Sequence, residues 1–389
     1  MLKLSTTTWD ESDYEALNRV IASGMFTMGA EVASFERDFA KYFRVKYAVM
    51  VNSGSSANLL AAFALKYHSK YSISLNDEVI VPAVSWSTTY YPFSQAGFKL
   101  VFVDIDSDYN ISVEAVIEAI TDKTKVIVAV NLLGSAAELY KLKQICDERS
   151  IILFEDNCES MGALIQGAYA GTIGLCGTFS SYFSHHINTI EGGIITTDDE
   201  ELYLLLLSMR SHGWTRNWPD KNILHEKTGN YIEDTFDFVL PGFNLRPMEF
   251  QGALGISQLK KLPEILIGRR NNAEIFHKHL SAISNGKITT HSWSVDNSFF
   301  GFPLVFESEA KRRLFIDYLE TKGVEYRPIV TGNFTEKKVV KLLNHRISGD
   351  LANARHIDKC GLFIGNHHYD ISKELTDILT NIPDSILND

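Results

Sequence analysis

Four short segments carry residues whose types and spacing could do chemistry, and each sits where a β-forming run gives way to a turn. The first is Val51-Asn52-Ser53-Gly54-Ser55-Ser56. Gly54 permits a tight turn and a helix begins behind it, so free backbone N–H groups and the helix dipole would cradle a phosphate there. A glycine turn with a serine cap has the same pattern. In the second, Val81-Pro82-Ala83-Val84-Ser85-Trp86, an aromatic follows a strand at the edge where open α/β sheets collect ligands. Trp86 could cover a planar ring there, or fill a core. The third runs from Ile151-Ile152-Leu153-Phe154 into two carboxylates, Glu155 and Asp156, followed by Asn157-Cys158-Glu159. A carboxylate at a buried strand end needs a partner, and a protonated pyridine nitrogen or a structural ion pair would both serve. The fourth, Gly177 to Gly193, holds His185 and His186 ahead of Glu191-Gly192-Gly193.

The elements around these segments alternate. Tyr47–Val51, Glu78–Pro82, Leu100–Ile105, Lys125–Val130 and Ile151–Glu155 read as strands, most of them apolar throughout, which suits a parallel sheet covered on both faces. Helical patterns lie between them, at Ser56–Tyr67, Ser112–Ile120 and Ala136–Arg149, and such alternation builds an α/β sheet. Gly177–Phe183 and Gly193–Thr197 add two more strands with little helix between them. Met248–Leu262 reads as a helix that Pro263 interrupts or ends before another from Ile265 toward Ile283. Beyond it come a strand-like Phe299–Phe306, a helix over Glu309–Lys322 and short mixed elements, a pattern for a smaller α+β unit. The expected division is a large unit over 1–255 and a small C-terminal one over 256–389.

The chain has 389 residues, 45% of them hydrophobic, with 37 basic against 48 acidic side chains and a net charge of −11. So acidic a surface is a poor general partner for nucleic acid or anionic lipid, and neither is expected as a partner. The first ten residues have no signal-peptide pattern and no run approaches a membrane span. Cys146, Cys158, Cys176 and Cys360 make neither a CxxC pair nor a zinc set, so reduced thiols in a cytoplasmic protein are expected. The adjacent pairs His185-His186 and His367-His368 have no ligand at helical spacing beside them, so no metal is expected.

Taken in order, the four segments resemble the DegT/DnrJ/EryC1/StrS group of sugar aminotransferases, which have the type I aspartate aminotransferase fold and use pyridoxal phosphate. In that group a Schiff-base lysine lies six residues before the glutamate of a Glu-Gly-Gly; here that position is His185. With Thr8-Trp9-Asp10, Met25-Phe26-Thr27-Met28-Gly29, His212-Gly213-Trp214-Thr215-Arg216-Asn217, Pro241-Gly242-Phe243-Asn244-Leu245-Arg246-Pro247 and Arg327-Pro328-Ile329-Val330-Thr331-Gly332-Asn333-Phe334, the likeness narrows. It points, over essentially the whole chain, to histidine-bearing dehydratases of the group that act on GDP-4-keto-6-deoxy-D-mannose in colitose (O-antigen, lipopolysaccharide) biosynthesis.

The resemblance implies that Gly54, Ser55 and Ser180 hold the cofactor phosphate, that Trp86 stacks on its ring, that Asp156 pairs with its nitrogen and that Glu159 lies beside it. It implies that Asn244 reaches the phosphate from a neighbouring subunit, hence a homodimer with shared active sites. Phe26, Thr27, His212, Arg216, Arg246 and Arg327 become candidates for the GDP-sugar, the arginines suiting a diphosphate, although surface or interface salt bridges would also explain them. The implied reaction removes the C3 hydroxyl, with L-glutamate as amino donor and the cofactor cycling between pyridoxal and pyridoxamine phosphate.

Imidazole has no primary amine and cannot tether the cofactor, which must then bind non-covalently. It can still move protons at neutral pH. His185 is therefore expected to be the catalytic acid and base, and His186 to be structural. A true nucleotide-sugar aminotransferase, a dehydratase for another nucleotide sugar, an iron–sulfur dehydratase and a pyridoxal-phosphate-fold regulator without catalysis are the alternatives. The first lacks its lysine, because Thr178 to Asp199 contains none, and the third lacks clustered cysteines.

Overall fold

The computed structural model describes residues 2–387. The chain opens with α1 (Glu11–Ser23) and α2 (Ala30–Phe43), then alternates β1 (Tyr47–Val51), α3 (Gly54–Ala64), β2 (Glu78–Pro82), α4 (Ser87–Gln95), β3 (Lys99–Val103), α5 (Val113–Ala119), β4 (Thr124–Val130), α6 (Leu139–Arg149) and β5 (Ile152–Asp156). A small hairpin, β6 (Leu164–Ile165) and β7 (Ala168–Tyr169), precedes β8 (Cys176–Ser180), β9 (Gly193–Thr197) and α7 (Glu200–Arg210). The short α8 (Tyr231–Phe236) and the long α9 (Glu249–Ser284) follow. The chain ends with β10 (Ile288–Thr289), β11 (Gly301–Phe306), α10 (Glu309–Lys322), β12 (Tyr326–Arg327), β13 (His345–Ile347), α11 (Ala352–Cys360), β14 (Gly361–Gly365), α12 (Ser372–Thr380) and α13 (Asp384–Leu387).

Eight strands form one sheet in the order β1-β9-β8-β5-β4-β2-β3-β13. Only β9 runs against the rest. The apolar runs explain this arrangement: β2 and β5 are buried at every position, as a sheet covered on both faces requires. One cover packs Leu60, Tyr90, Phe93 and Leu206 against the sheet, the other Val116, Leu139 and Leu142. A second sheet, β10-β11-β14-β12, is wholly antiparallel and has its own core of Phe276, Phe302, Phe315, Leu319 and Leu375. The α/β class and the type I aminotransferase architecture expected from the sequence are therefore both present.

Pro263 does not end its helix. α9 runs unbroken from Glu249 to Ser284, although a proline inside a helix removes one hydrogen bond and crowds the preceding turn. Burial along its length outweighs that local cost: Leu254, Leu259 and Leu262 pack before the proline and Leu266, Ala273 and Phe276 after it. Position 255/256 falls within this helix. β13, from the last third of the chain, pairs with β3 at the edge of the large sheet, and Leu2 packs in the core of the second sheet.

β8 stops at Ser180, shorter than the expected strand through Phe183, and β9 starts at Gly193. The intervening loop is closed at its base, where the Ser181 amide donates to the Gly192 carbonyl (2.9 Å) and the Phe183 amide to that of Ile190 (3.1 Å). This loop carries His185. Glycine is required at its end, because a Cβ on Gly193 would lie 2.1 Å from the carbonyl oxygen of Ser53.

Candidate active site

Because β2, β5 and β8 run parallel, Pro82, Asp156 and Ser180 end at one edge of the sheet, and the loops beyond them meet over a cleft of about 410 Å³. Gly54, Ser55, Trp86 and Ser180 line it. So do Asp156, Glu159, His185 and Arg327. No lysine among the described residues does.

The floor is built around Asp156, which is 5% exposed. Asn58 Nδ2 donates to its Oδ2 at 2.8 Å and Thr89 Oγ1 donates to the same oxygen at 2.7 Å. The Ser85 hydroxyl shares a hydrogen bond with that of Thr89 (2.7 Å). Every partner is neutral, and among the described residues no cation pairs with this carboxylate. A buried carboxylate without a positive partner is costly, so the site is shaped for a cationic group delivered by a ligand, and a protonated pyridine nitrogen fits.

Ser53 caps α3, its Oγ accepting from the Ser56 amide at 3.0 Å, which leaves the Gly54 and Ser55 amides at the helix start facing the cleft region with Ser180 beside them. A Cβ on Gly54 would lie 2.7 Å from that of Ser180, so only glycine lets the helix start approach the strand end this closely. Helix start, flanking hydroxyls and unpaired carboxylate together fit pyridoxal phosphate. Trp86 stands half-exposed at the cleft wall, at the start of α4.

His185 has its Nδ1 2.7 Å from the Cys158 carbonyl oxygen. Its ring lies 5.1 Å from that of Phe300, centroid to centroid. Burial pulls its pKa down to about 4, helped by the Arg269 charge and opposed by the Cys158 hydrogen bond and Asp156. Burial pushes the Glu159 carboxyl up to about 7, with Asp156 adding to the effect, while the Leu133 amide (3.2 Å) opposes it. The Cys158 thiol is driven well above its ordinary range by burial, so it offers no thiolate. His186 is fully buried and its Nε2 lies 3.1 Å from the Ser298 carbonyl oxygen, a structural position.

A single chain does not bring the other six expected residues into this cleft. Phe26 stacks on Phe250 (5.7 Å), and Thr27 forms a bridge with Met248. Arg216 and Arg246 lie over the ring of Trp214 at 4.5 and 5.8 Å, with the His212 ring 5.2 Å away from the same tryptophan. Asn244 pairs with Ser211 and accepts from Arg246 Nε at 3.0 Å. His212, Arg216, Asn244 and Arg246 thus lie together on the segment between α7 and α9, and Phe26 and Thr27 lie between α1 and α2 against the start of α9.

Sequence reasoning passed over Asn58, Thr89 and Phe300. The first two were findable: Asn58 stands one helical turn after Gly54, and Thr89 three residues after Trp86, spacings that return a side chain to the same helix face. Phe300 arrives from the turn before β11, far along the chain, and gave no local signal. The four cysteines are free, Cys158 half-buried and the others buried, and the described residues contain no cluster of metal-ligating groups.

Fold and cleft define a pyridoxal-phosphate enzyme of the aspartate aminotransferase type, and the chain belongs to the DegT/DnrJ/EryC1/StrS aminotransferase family, matched over residues 7–382. Among its relatives is the GDP-4-keto-6-deoxy-D-mannose 3-dehydratase of Yersinia pseudotuberculosis, 50% identical over 380 residues and 96% of each chain. The solved structure of the E. coli GDP-4-keto-6-deoxy-D-mannose-3-dehydratase with bound hydrated PLP superposes with a TM-score of 0.94 at 46% identity, covering 100% of this chain and 99% of that one. A GDP-4-keto-6-deoxymannose-3-dehydratase structure holding a trapped PLP-glutamate geminal diamine matches at 0.95 and 46%, covering 100% of both chains.

Proposed function

We infer that this chain removes the C3 hydroxyl of GDP-4-keto-6-deoxy-D-mannose, with L-glutamate as amino donor. The products are GDP-4-keto-3,6-dideoxy-D-mannose, 2-oxoglutarate and ammonia. Atoms and electrons balance: the C3 hydroxyl leaves as water, an equal amount of water is consumed in releasing 2-oxoglutarate, and the two electrons lost by glutamate reduce C3 of the sugar. The observation that carries the reading is the histidine at position 185, with no lysine lining the cleft.

Non-covalently bound pyridoxal phosphate supplies an electron sink, and its pyridoxamine form carries the amino group. The chain's residues do the rest. The amides of Gly54 and Ser55 and the Ser180 hydroxyl hold the phosphate, Trp86 covers the ring, and Asp156 keeps the ring nitrogen protonated by pairing with it. Glu159, its carboxyl pushed up to about 7 by burial, lies beside the ring. His185 Nε2 takes the α-proton of glutamate, later takes a proton near the sugar's C4, and protonates the departing C3 hydroxyl. An aminotransferase lysine would instead release a 4-amino sugar. Imidazole cannot attack as a primary amine does, so the deoxygenated sugar leaves and loses ammonia.

Arg327 lines the cleft and is the substrate contact supplied within the chain. Phe26, Thr27, His212, Arg216, Asn244 and Arg246 act on the neighbouring subunit's site in a homodimer. Two features support this. Arg216 and Arg246 have no carboxylate partner among the described residues, and exposed Phe236 and Phe238 lie beside Arg216 and Trp214. Gln251 Nε2 donates to the Glu191 carbonyl oxygen at 2.5 Å, joining this face to the cleft mouth. Among the described residues no helix is long and apolar enough to cross a membrane. The cytoplasm is the compartment of this reading, supported by four unpaired thiols, which suit reducing surroundings. The large unit is taken as 1–255 and the small one as 256–389.

Mass analysis of the product from GDP-4-keto-6-deoxymannose and glutamate, with ammonia quantified, tests the reading. Accumulation of a GDP-4-amino sugar without ammonia would make the chain an aminotransferase and end it.

A further inference from the structure

Arg269 on α9 is 5% exposed, and among the described residues no carboxylate pairs with it. Its Nη1 donates to the carbonyl oxygens of Phe300 (3.0 Å), Asn366 (3.1 Å) and Phe299 (3.3 Å), and its Nε is buried without a partner. Asn366 completes the knot, its Nδ2 donating to the Phe299 carbonyl (2.9 Å) and to that of Arg269 itself (3.1 Å). The turn so held is a strained one. Phe299 sits at φ +46°, in the left-handed region that a bulky residue avoids, and Phe300 leaves it to line the catalytic cleft with its ring against His185. A guanidinium at such a site is unusual, since a buried charge without a counter-ion is costly and three carbonyl dipoles compensate it only in part.

We propose that Arg269 is a positioning residue for the reaction at His185: its guanidinium pins the Phe299–Phe300 turn that fixes the imidazole's far face, and its uncompensated buried charge stands behind the catalytic base. This rests on the dehydratase reading. A base that must accept protons has to be neutral when substrate arrives, and a cation held one residue away disfavours its protonated form. Burial acts most strongly in that direction on His185 and the Arg269 charge adds to it, while the Cys158 hydrogen bond and Asp156 act against them. The other ionisable groups on the cleft wall are Cys158, Glu159, Tyr182, Glu191 and Arg327. Arg327 is the cation of that wall, whereas Arg269 does not line the cleft and lies buried behind Phe300.

Two variants separate charge from geometry. Arg269→Lys keeps the charge and loses the planar fork; Arg269→Gln keeps a donor and loses the charge. With loaded enzyme, Arg269→Gln should move the acidic limb of the kcat profile upward by about one pH unit, so that activity at pH 4.5 relative to pH 8 falls about threefold below the wild-type ratio. Arg269→Lys should leave that limb in place and lower kcat about tenfold with KM for both substrates unchanged. Limbs that coincide in wild type and Arg269→Gln overturn the charge role, and an Arg269→Lys enzyme with wild-type kcat overturns the positioning role. If Arg269→Gln does not fold, the His185 ring is titrated by 13C NMR in wild type and in Arg269→Lys. An imidazole titrating near 6.5 in either sinks the proposal; one neutral throughout the range in both, with kcat lowered in Arg269→Lys and KM unchanged, upholds the positioning role. Failure of wild type itself to release ammonia would refute the dehydratase reading instead, and the NMR titration would still report on Arg269.

Discussion

The Nδ1 of His185 lies 2.7 Å from the backbone carbonyl oxygen of Cys158, and a carbonyl can only accept. Nδ1 must therefore carry the proton in the neutral ring, which leaves the Nε2 lone pair for the cleft. The backbone of one loop of the cleft thus sets the tautomer of the imidazole on another. His185→Asn should lower ammonia release by about 10²–10⁴-fold, the usual worth of a general acid–base, while cofactor survives gel filtration as measured by absorbance. Near-wild-type turnover in that variant would require a different base.

Asp156 is buried with neutral partners only. In Asp156→Asn the cofactor-free protein should melt at or slightly above the wild-type temperature, because an uncompensated buried charge is gone. The gain in melting temperature on adding pyridoxal phosphate should shrink, corresponding to a loss of about 1–3 kcal/mol of linkage. A cofactor-induced shift equal to that of wild type would show that Asp156 does not hold the ring.

At Gly54 a methyl group would stand 2.7 Å from Ser180 Cβ. Gly54→Ala must push the start of α3 away from the end of β8, at a cost of about 1–3 kcal/mol for overpacking, and should weaken cofactor binding at least tenfold. Equilibrium dialysis with pyridoxal phosphate reads the second effect and denaturant unfolding the first.

Arg246 lies outside the cleft of its own chain, over Trp214. If it serves the neighbour's site, inactive His185→Asn and inactive Arg246→Ala proteins should rescue each other on mixing and exchange. Random pairing makes about half the dimers mixed, each with one intact site, so about a quarter of wild-type activity should return. Absence of any rescue under conditions where the subunits exchange would place Arg246 elsewhere.

His291 is buried with both ring nitrogens unpartnered, and burial, aided by His277, lowers its pKa from 6.5 to about 3. Between those values the unfolded chain binds a proton that the folded one refuses, so stability rises with pH across the window and is complete above about 6.5. His291→Leu should flatten the fall in melting temperature between pH 7 and pH 5, and stabilise the protein by about 1 kcal/mol at the acidic end. An unchanged slope would assign the acid lability to other groups.

How much of this was legible beforehand depends on the range of each interaction. The strands over Tyr47–Val51 and Glu78–Pro82 formed where their apolar runs stood, because burial on both faces is written into each run. The cofactor segments were legible for a similar reason: a helix start after Gly54, a carboxylate closing a buried strand and a histidine six residues before Glu191 are local patterns with direct chemical meaning. Pro263 was misread by the same local logic, since its penalty is local and the burial that overrides it is not.

The sequence alone determined the order of elements and the replacement of an anchoring amine by an imidazole at 185, because both are properties of short stretches of chain. Only the tertiary structure decided that the Cys158 carbonyl chooses the His185 tautomer, that Asn58 and Thr89 hold Asp156, and that Arg269 binds the carbonyl of Phe300, whose ring lies against His185. Each of these joins residues from different elements, some more than 90 positions apart in the chain, as Asn58 and Asp156 are. Such pairings have no periodicity to read. They exist once the strands have aligned, when burial leaves each polar group with whichever partner the fold has brought within reach.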